Sequence, residues 1–126
     1  MPLIRISLRE GKPAEYRSAI AEGVYGALRE TFNVPEGDFF AIVTEHKPED
    51  LLYDRQYFNI DRSDDFVVIQ LTVSNTRTLE QKKALYRGMV DRLRSKPGLR
   101  RQDVFINLVE VAQENWSFGN GEAQYV

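Results

Sequence analysis

Residues 78–95 read TLEQKKALYRGMVDRLRS, and 65 positions earlier residues 13–30 read PAEYRSAIAEGVYGALRE. Held in that one register, Glu15 falls on Glu80, Ala19 on Ala84, Gly23 on Gly88, and Leu28 and Arg29 on Leu93 and Arg94. The register survives beyond the helices. Ile4 falls on Ile69, Asp38 on Asp103 and Glu45 on Glu110, with no gap anywhere. Chance matches do not hold one offset across six elements, so the chain reads as an internal duplication.

Each copy reads as strand, helix, strand. In LIRISL (3–8) apolar and polar residues alternate, the period of a strand. From Lys12 to Thr31, Tyr16, Ile20, Val24, Ala27 and Leu28 share one helical face. The NVP stretch stops that helix, because the residue before Pro35 is pushed out of the α region. DFFAIVTEH (38–46) and DFVVIQLTV (65–73) read as strands. The second helix is expected over 78–95 with Leu85, Met89 and Leu93 inward. Thr78 and Gln81 have capping-box spacing, and KPG closes the helix. DVFINLVEV (103–111) is the last full strand; NWSFGNG (115–121) with EAQYV reads as a C-terminal hairpin.

Strand, long helix, parallel strand is a crossover unit, and two of them give a four-stranded sheet with both helices on one face. The class is α+β, in a single domain over residues 1–126 with repeat halves near 2–46 and 67–111. The strands carry apolar residues at both parities, among them Leu3 beside Ile4 and Val68 beside Ile69. A sheet apolar on both faces needs cover on both. A homotrimer is therefore expected, with sheets packed around an axis.

Composition narrows the chemistry. Of 126 residues, 42% are hydrophobic and 29% charged, the profile of a soluble globular chain. A net charge of −2 with dispersed basic residues points away from nucleic acid. No cysteine is present, which excludes disulfides, thiolate metal sites and cysteine nucleophiles. A single histidine argues against a histidine metal cluster or a conventional triad. No apolar run suits a membrane span and no signal pattern stands at the start, so the expected address is cytoplasmic. Any catalysis must come from carboxylates, arginine, tyrosine, lysine, hydroxyls or the N-terminus.

That last option is open because proline follows Met1. Methionine is usually trimmed before a small residue or proline, which would leave Pro2 as a free secondary amine. Proline also tolerates the first position of a strand, where its missing N–H is not needed.

The duplicated unit, the leading PLIRISL, FNVPEGD (32–38), EHKP (45–48), LTVSNTRTLEQK (71–82), DVFINLVE and WSFGNG together resemble the tautomerase superfamily, most of all its malonate semialdehyde decarboxylase-like subgroup. The likeness runs essentially end to end. It implies a cofactor-free, metal-free enzyme that uses Pro2 as acid, base or nucleophile. It implies that Arg77 binds a substrate carboxylate, a role suited to a guanidinium fork. An arginine just before a helix N-terminus is electrostatically misplaced, which agrees with such a role. Asp38 matches the aspartate that orients water or a protonated group near the proline. Trp116, Phe118 and Tyr125 resemble the aromatic wall of the pocket, with Tyr125 where the subgroup has phenylalanine.

One position departs from the subgroup: Asn75 stands where the decarboxylase has a second arginine. Asparagine can hydrogen-bond a carboxylate but brings no charge. The reading is thus a keto–enol tautomerase of small 2-oxo acids, with Pro2, Asp38 and Arg77 catalytic and Asn75, Arg77, Trp116, Phe118 and Tyr125 around the substrate. The alternatives are a malonate semialdehyde decarboxylase-like lyase, a hydratase of three-carbon unsaturated acids, or a non-catalytic oligomeric binding module. His46 reads as structural. Tyr53, Arg55 and Tyr57, in LLYDRQYFNIDRSDD (51–65), suggest a subunit-contact arm or a pocket rim.

Overall fold

The structure is a computed structural model that describes Met1–Val126. Strand β1 (Pro2–Arg9) leads through α1 (Ala14–Phe32) to β2 (Ala41–His46), and β3 (Val67–Ser74) leads through α2 (Leu79–Ser95) to β4 (Val104–Val111). The sheet order is β2-β1-β3-β4. β1 runs parallel to β2 and β3 parallel to β4, while the two inner strands are antiparallel. The duplication is visible in the register itself. Ile4 faces Ala41 and Ile69 faces Ile106, so in both units the partner stands 37 residues on. Between the copies, Pro2 faces Val73 and Leu8 faces Val67, pairs that exchange under the 65-residue offset.

The helices form for the expected reasons. Ile20, Val24, Ala27 and Leu28 of α1 and Leu85, Met89 and Leu93 of α2 are buried. They meet Ile4, Ile6, Leu8, Val67, Ile69, Leu71 and Val73 in one core shared by both halves. Each large aliphatic side chain there contributes roughly 1.5–3 kcal/mol by leaving water. α2 starts with the expected capping box, Gln81 N–H donating to Thr78 Oγ1 at 3.1 Å and Thr78 N–H to Gln81 Oε1 at 3.0 Å. α1 ends at Asn33, whose left-handed backbone (φ 56°) turns the chain before Pro35. No helix is long and apolar enough to cross a membrane.

Two expectations are corrected. The C-terminal hairpin does not form: beyond β4 the chain makes a short 3-10 turn at Gln113–Asn115 and further turns, with no strand in EAQYV. Aromatic rings and a glutamine side chain hold this segment, so it has no ladder to join. The sheet face away from the helices is also less apolar than the strand sequences suggest. Its centre is Arg5 and Gln70, paired across the inner strands and exposed. Large apolar side chains sit at its flanks, where Ile42, Phe105 and Val109 are exposed.

Candidate active site

Strand directions sort the candidate residues to the two ends of the sheet. At one end β1 begins, the chain turns into β2, and β3 and β4 finish. Pro2, Asp38, Asn75, Arg77 and the segment after Val111 therefore gather there. At the other end lie His46, Tyr53, Arg55 and Tyr57, so the 51–65 connection is no rim of the Pro2 corner. That connection is tied to itself, with Arg62 donating to the Tyr57 carbonyl at 2.9 Å and Arg55 to Asp64 at 2.6 Å.

Pro2 is buried at the first position of β1. The terminal amine, Met1's in the translated chain, stands 3.8 Å from Asp38 Oδ2. Burial holds this amine below its ordinary range; Asp38 pulls it back up and Arg77 pushes it further down. Burial also raises the Asp38 carboxyl, against the pull of the amine. Desolvation therefore outweighs the attraction of the pair on both sides, and the corner favours a neutral amine. Asp38 Oδ1 is buried without a hydrogen-bond partner. A buried polar atom left unpaired is rare and costly; Arg9 Nε and His46 Nε2, at the opposite end of the sheet, are the other two.

Arg77 is fixed from beneath. Its guanidinium donates to the Phe32 carbonyl at 2.8 Å and to Thr76 Oγ1 at 2.6 Å, and lies 4.9 Å from the centre of the Phe32 ring. Phe32 is the last residue of α1, so Arg77 serves the negative end of that helix while preceding the positive end of α2. Its location is thus less anomalous than the sequence suggests. A guanidinium has five N–H donors, and these contacts leave donors for a carboxylate. No carboxylate of the chain lies within ion-pair distance of it.

Three aromatic residues of the C-terminal segment meet one another. Trp116 stacks on Phe118 at 5.6 Å between centroids, and Phe118 meets Tyr125 edge-on at 5.1 Å. Burial raises the Tyr125 hydroxyl above its usual value, with Asp38 adding to the shift and Arg77 opposing it. The ring thus lies in the field of both charged groups. Asn75 presents an exposed side chain, while its backbone N–H donates to the Val111 carbonyl at 3.0 Å. Sequence reasoning missed Phe32 and Thr76, which hold Arg77, and Ser74, whose hydroxyl accepts from Trp116 Nε1 at 3.2 Å. No local pattern marks them: Phe32 lies 45 residues from Arg77 and Ser74 lies 42 from Trp116.

Two family models, both described as tautomerase enzyme, match the chain, one over residues 38–119 and one over 2–59. A probable tautomerase, YusQ, of Bacillus subtilis (strain 168) is 38% identical over all of this chain and 99% of its own length. Among solved structures, FG41 malonate semialdehyde decarboxylase inhibited by 3-bromopropiolate is 37% identical with a TM-score of 0.91, covering 98% of this chain and 93% of that one. A fused 4-OT symmetric trimer, 18% identical with a TM-score of 0.79 over 98% of this chain and 97% of that one, shares the fold.

Proposed function

The chain belongs to the tautomerase enzyme family, and we propose that it is a cofactor-independent keto–enol tautomerase of small 2-oxo acids that works through Pro2 once Met1 is removed. The observation that carries this reading is the buried corner where the chain's first amine, Asp38 and a carboxylate-free Arg77 converge. A neutral Pro2 nitrogen takes the proton from the enol oxygen. The same nitrogen, now protonated, delivers it to the adjacent carbon, and the carbonyl forms. Arg77 anchors the substrate carboxylate with Asn75 beside it, which holds the reacting atoms in place. Trp116, Phe118 and Tyr125 keep water from the nitrogen.

One observation favours a second reaction class on the same residues. The buried, unpartnered Asp38 Oδ1 suits an attacking water or a protonated group, as hydration or decarboxylation requires. In decarboxylation the secondary amine condenses with the substrate carbonyl and expels water. The iminium then accepts the electron pair of the breaking carbon–carboxylate bond. The single cation at the clamp, with Asn75 beside Arg77, weighs toward enolisation as the main activity.

The apolar flanks of the open sheet face, Ile42, Phe105 and Val109, support assembly with further copies, and the fused 4-OT relative is a symmetric trimer. A homotrimer is the proposed state; a monomer by light scattering refutes it.

The test is ketonisation of phenylenolpyruvate, followed by ultraviolet absorbance. Protein shown by mass spectrometry to lack Met1 is compared with its Pro2→Ala variant. A rate that vanishes in the variant supports Pro2 as the base. Equal rates, or none above background, refute it for this reaction, and the same two proteins are then assayed for hydration and decarboxylation.

A further inference from the structure

Residues 112–126 close the Pro2 end of the sheet, yet they are held to the rest of the chain by one hydrogen bond, from Trp116 Nε1 to Ser74 Oγ. Every other hydrogen bond of this segment is internal to it. The Phe118 N–H donates to Gln124 Oε1 at 3.0 Å, and Gln124 Nε2 donates to the Gly119 carbonyl at 2.8 Å. No ion pair anchors it. Its attachment beyond that bond is the half-buried Trp116 and Phe118 rings, stacked and then meeting Tyr125. Ser74 is 3% exposed and follows Val73, the cross-strand partner of Pro2.

We propose that Ser74 is a positioning residue: its buried hydroxyl latches Trp116 and, through the Trp116–Phe118–Tyr125 stack, sets how dry the Pro2 nitrogen is kept. This rests on the reading of Pro2 as the working amine. The charged groups acting on the terminal amine of the translated chain are Asp38 from the loop before β2 and Arg77 from the loop before α2, and Tyr125 of the C-terminal segment lies in the field of both. Burial is the largest influence on the amine at this corner, and it favours the neutral form. Unlatching the segment admits water, stabilises the ammonium, and raises the nitrogen's pKa toward the free α-amino range of about 7.7–8.0.

The latch has its own reporter, because Trp116 is the only tryptophan of the chain. Met1-free wild type is compared with Ser74→Ala, Ser74→Thr and Trp116→Phe, the last keeping an aromatic ring but deleting the donor. Thermal unfolding checks that each is folded. Tryptophan emission and acrylamide quenching read the latch. ¹⁵N-proline NMR titration reads the amine, and the acid limb of the ketonisation rate reads the consequence. In Ser74→Ala the emission moves to the red and quenching increases. The amine titration and the acid limb rise together by about 0.5–1 pH unit. Trp116→Phe gives the same titration shift, the double variant adds nothing to it, and Ser74→Thr restores wild-type behaviour. An unchanged amine titration in both Ser74→Ala and Trp116→Phe overturns the latch, whatever the activities. If the titration shifts but no variant, wild type included, shows Pro2-dependent turnover, the latch stands and the tautomerase reading falls.

Discussion

The two ends of the sheet are copies of one another, and they have been finished in opposite ways. The 65-residue offset carries Pro2 onto Val67, Arg77 onto Lys12 and Asp38 onto Asp103. At the Val67 end the equivalent charges are paired. Asp103 is fully buried and accepts from the Ser63 N–H at 2.7 Å and the Ser63 hydroxyl at 2.6 Å. Lys12 pairs with Asp65 at 3.0 Å and Arg9 with Asp64 at 3.3 Å. The place of Met1 is taken by Phe66, a buried ring stacked on Tyr53 at 4.1 Å. A cavity of about 240 Å³ lies beside these residues, and both of its bases, Arg9 and Lys12, are paired with its acids. At the Pro2 end the equivalent aspartate keeps one oxygen unpaired and the equivalent cation has no carboxylate. The same backbone thus carries paired charges at one end and an aspartate and an arginine without such partners at the other. The difference lies in whether the equivalent aspartate and cation find partners within the chain.

The widest contrast is at the strand starts. Pro2→Ala in the Met1-free protein is expected to cost about 10²–10⁴-fold in ketonisation rate, the usual worth of a positioned general base. Val67→Ala is expected to lower thermal stability by removing a buried side chain, with turnover unchanged in the folded fraction. A Val67 variant that loses turnover while fully folded breaks the comparison.

Next come the two cations. Arg77→Ala removes a charge-assisted carboxylate anchor, and kcat/KM should fall by about 10–100-fold, mostly through KM. Lys12→Ala should stay within about twofold of wild type, because its charge is spent on Asp65. Steady-state kinetics on both variants decides it.

The aspartates should separate stability from pH dependence. Asp103→Asn removes the charge from a buried carboxylate and turns one of its two acceptor oxygens into a donor, and is expected to cost about 1.5–3 kcal/mol in denaturant unfolding. Asp38→Asn should leave stability nearly unchanged and move the pH–rate profile instead. With the neutral amine as the proposed base, the rate rises with pH through the amine's pKa. Asp38 holds that pKa up; removing its charge moves the acid limb to lower pH. Arg77 holds it down, so Arg77→Ala moves the limb to higher pH. A limb that moves upward in Asp38→Asn contradicts this account.

The smallest effect tests the repeat inside the helices. A methyl added at Gly23 would meet Leu93 Cδ2 at 2.9 Å in the core, whereas at Gly88 it would meet the Ala27 Cβ at 3.6 Å, an ordinary contact. Gly88→Ala should therefore raise stability by about 0.5–1 kcal/mol through helix propensity. Gly23→Ala should give no gain, since the clash offsets it. Thermal melts of the two variants show whether equivalent glycines are equally needed.

Periodicity and the constant offset were enough for the duplicated β-α-β plan, both helices and their buried faces, because each depends on spacing within one element. The Thr78–Gln81 cap was readable for the same reason. The residues of the Pro2 corner were nameable from the motifs, but the uses of two of them were not. Arg77 looked misplaced before α2 until the C-terminus of α1 was found beneath it, 45 residues away in sequence. Asp38 and Asp103 are the same letter at the same repeat position, and nothing local separates them. Ser63 satisfies one and leaves no counterpart for the other. The absent C-terminal hairpin and the polar centre of the open sheet face belong with these. Ladder partners, and which of two alternating faces meets a core, depend on how separate elements pack. Linear order established the elements; packing between distant elements decided which of the equivalent aspartates and cations were paired.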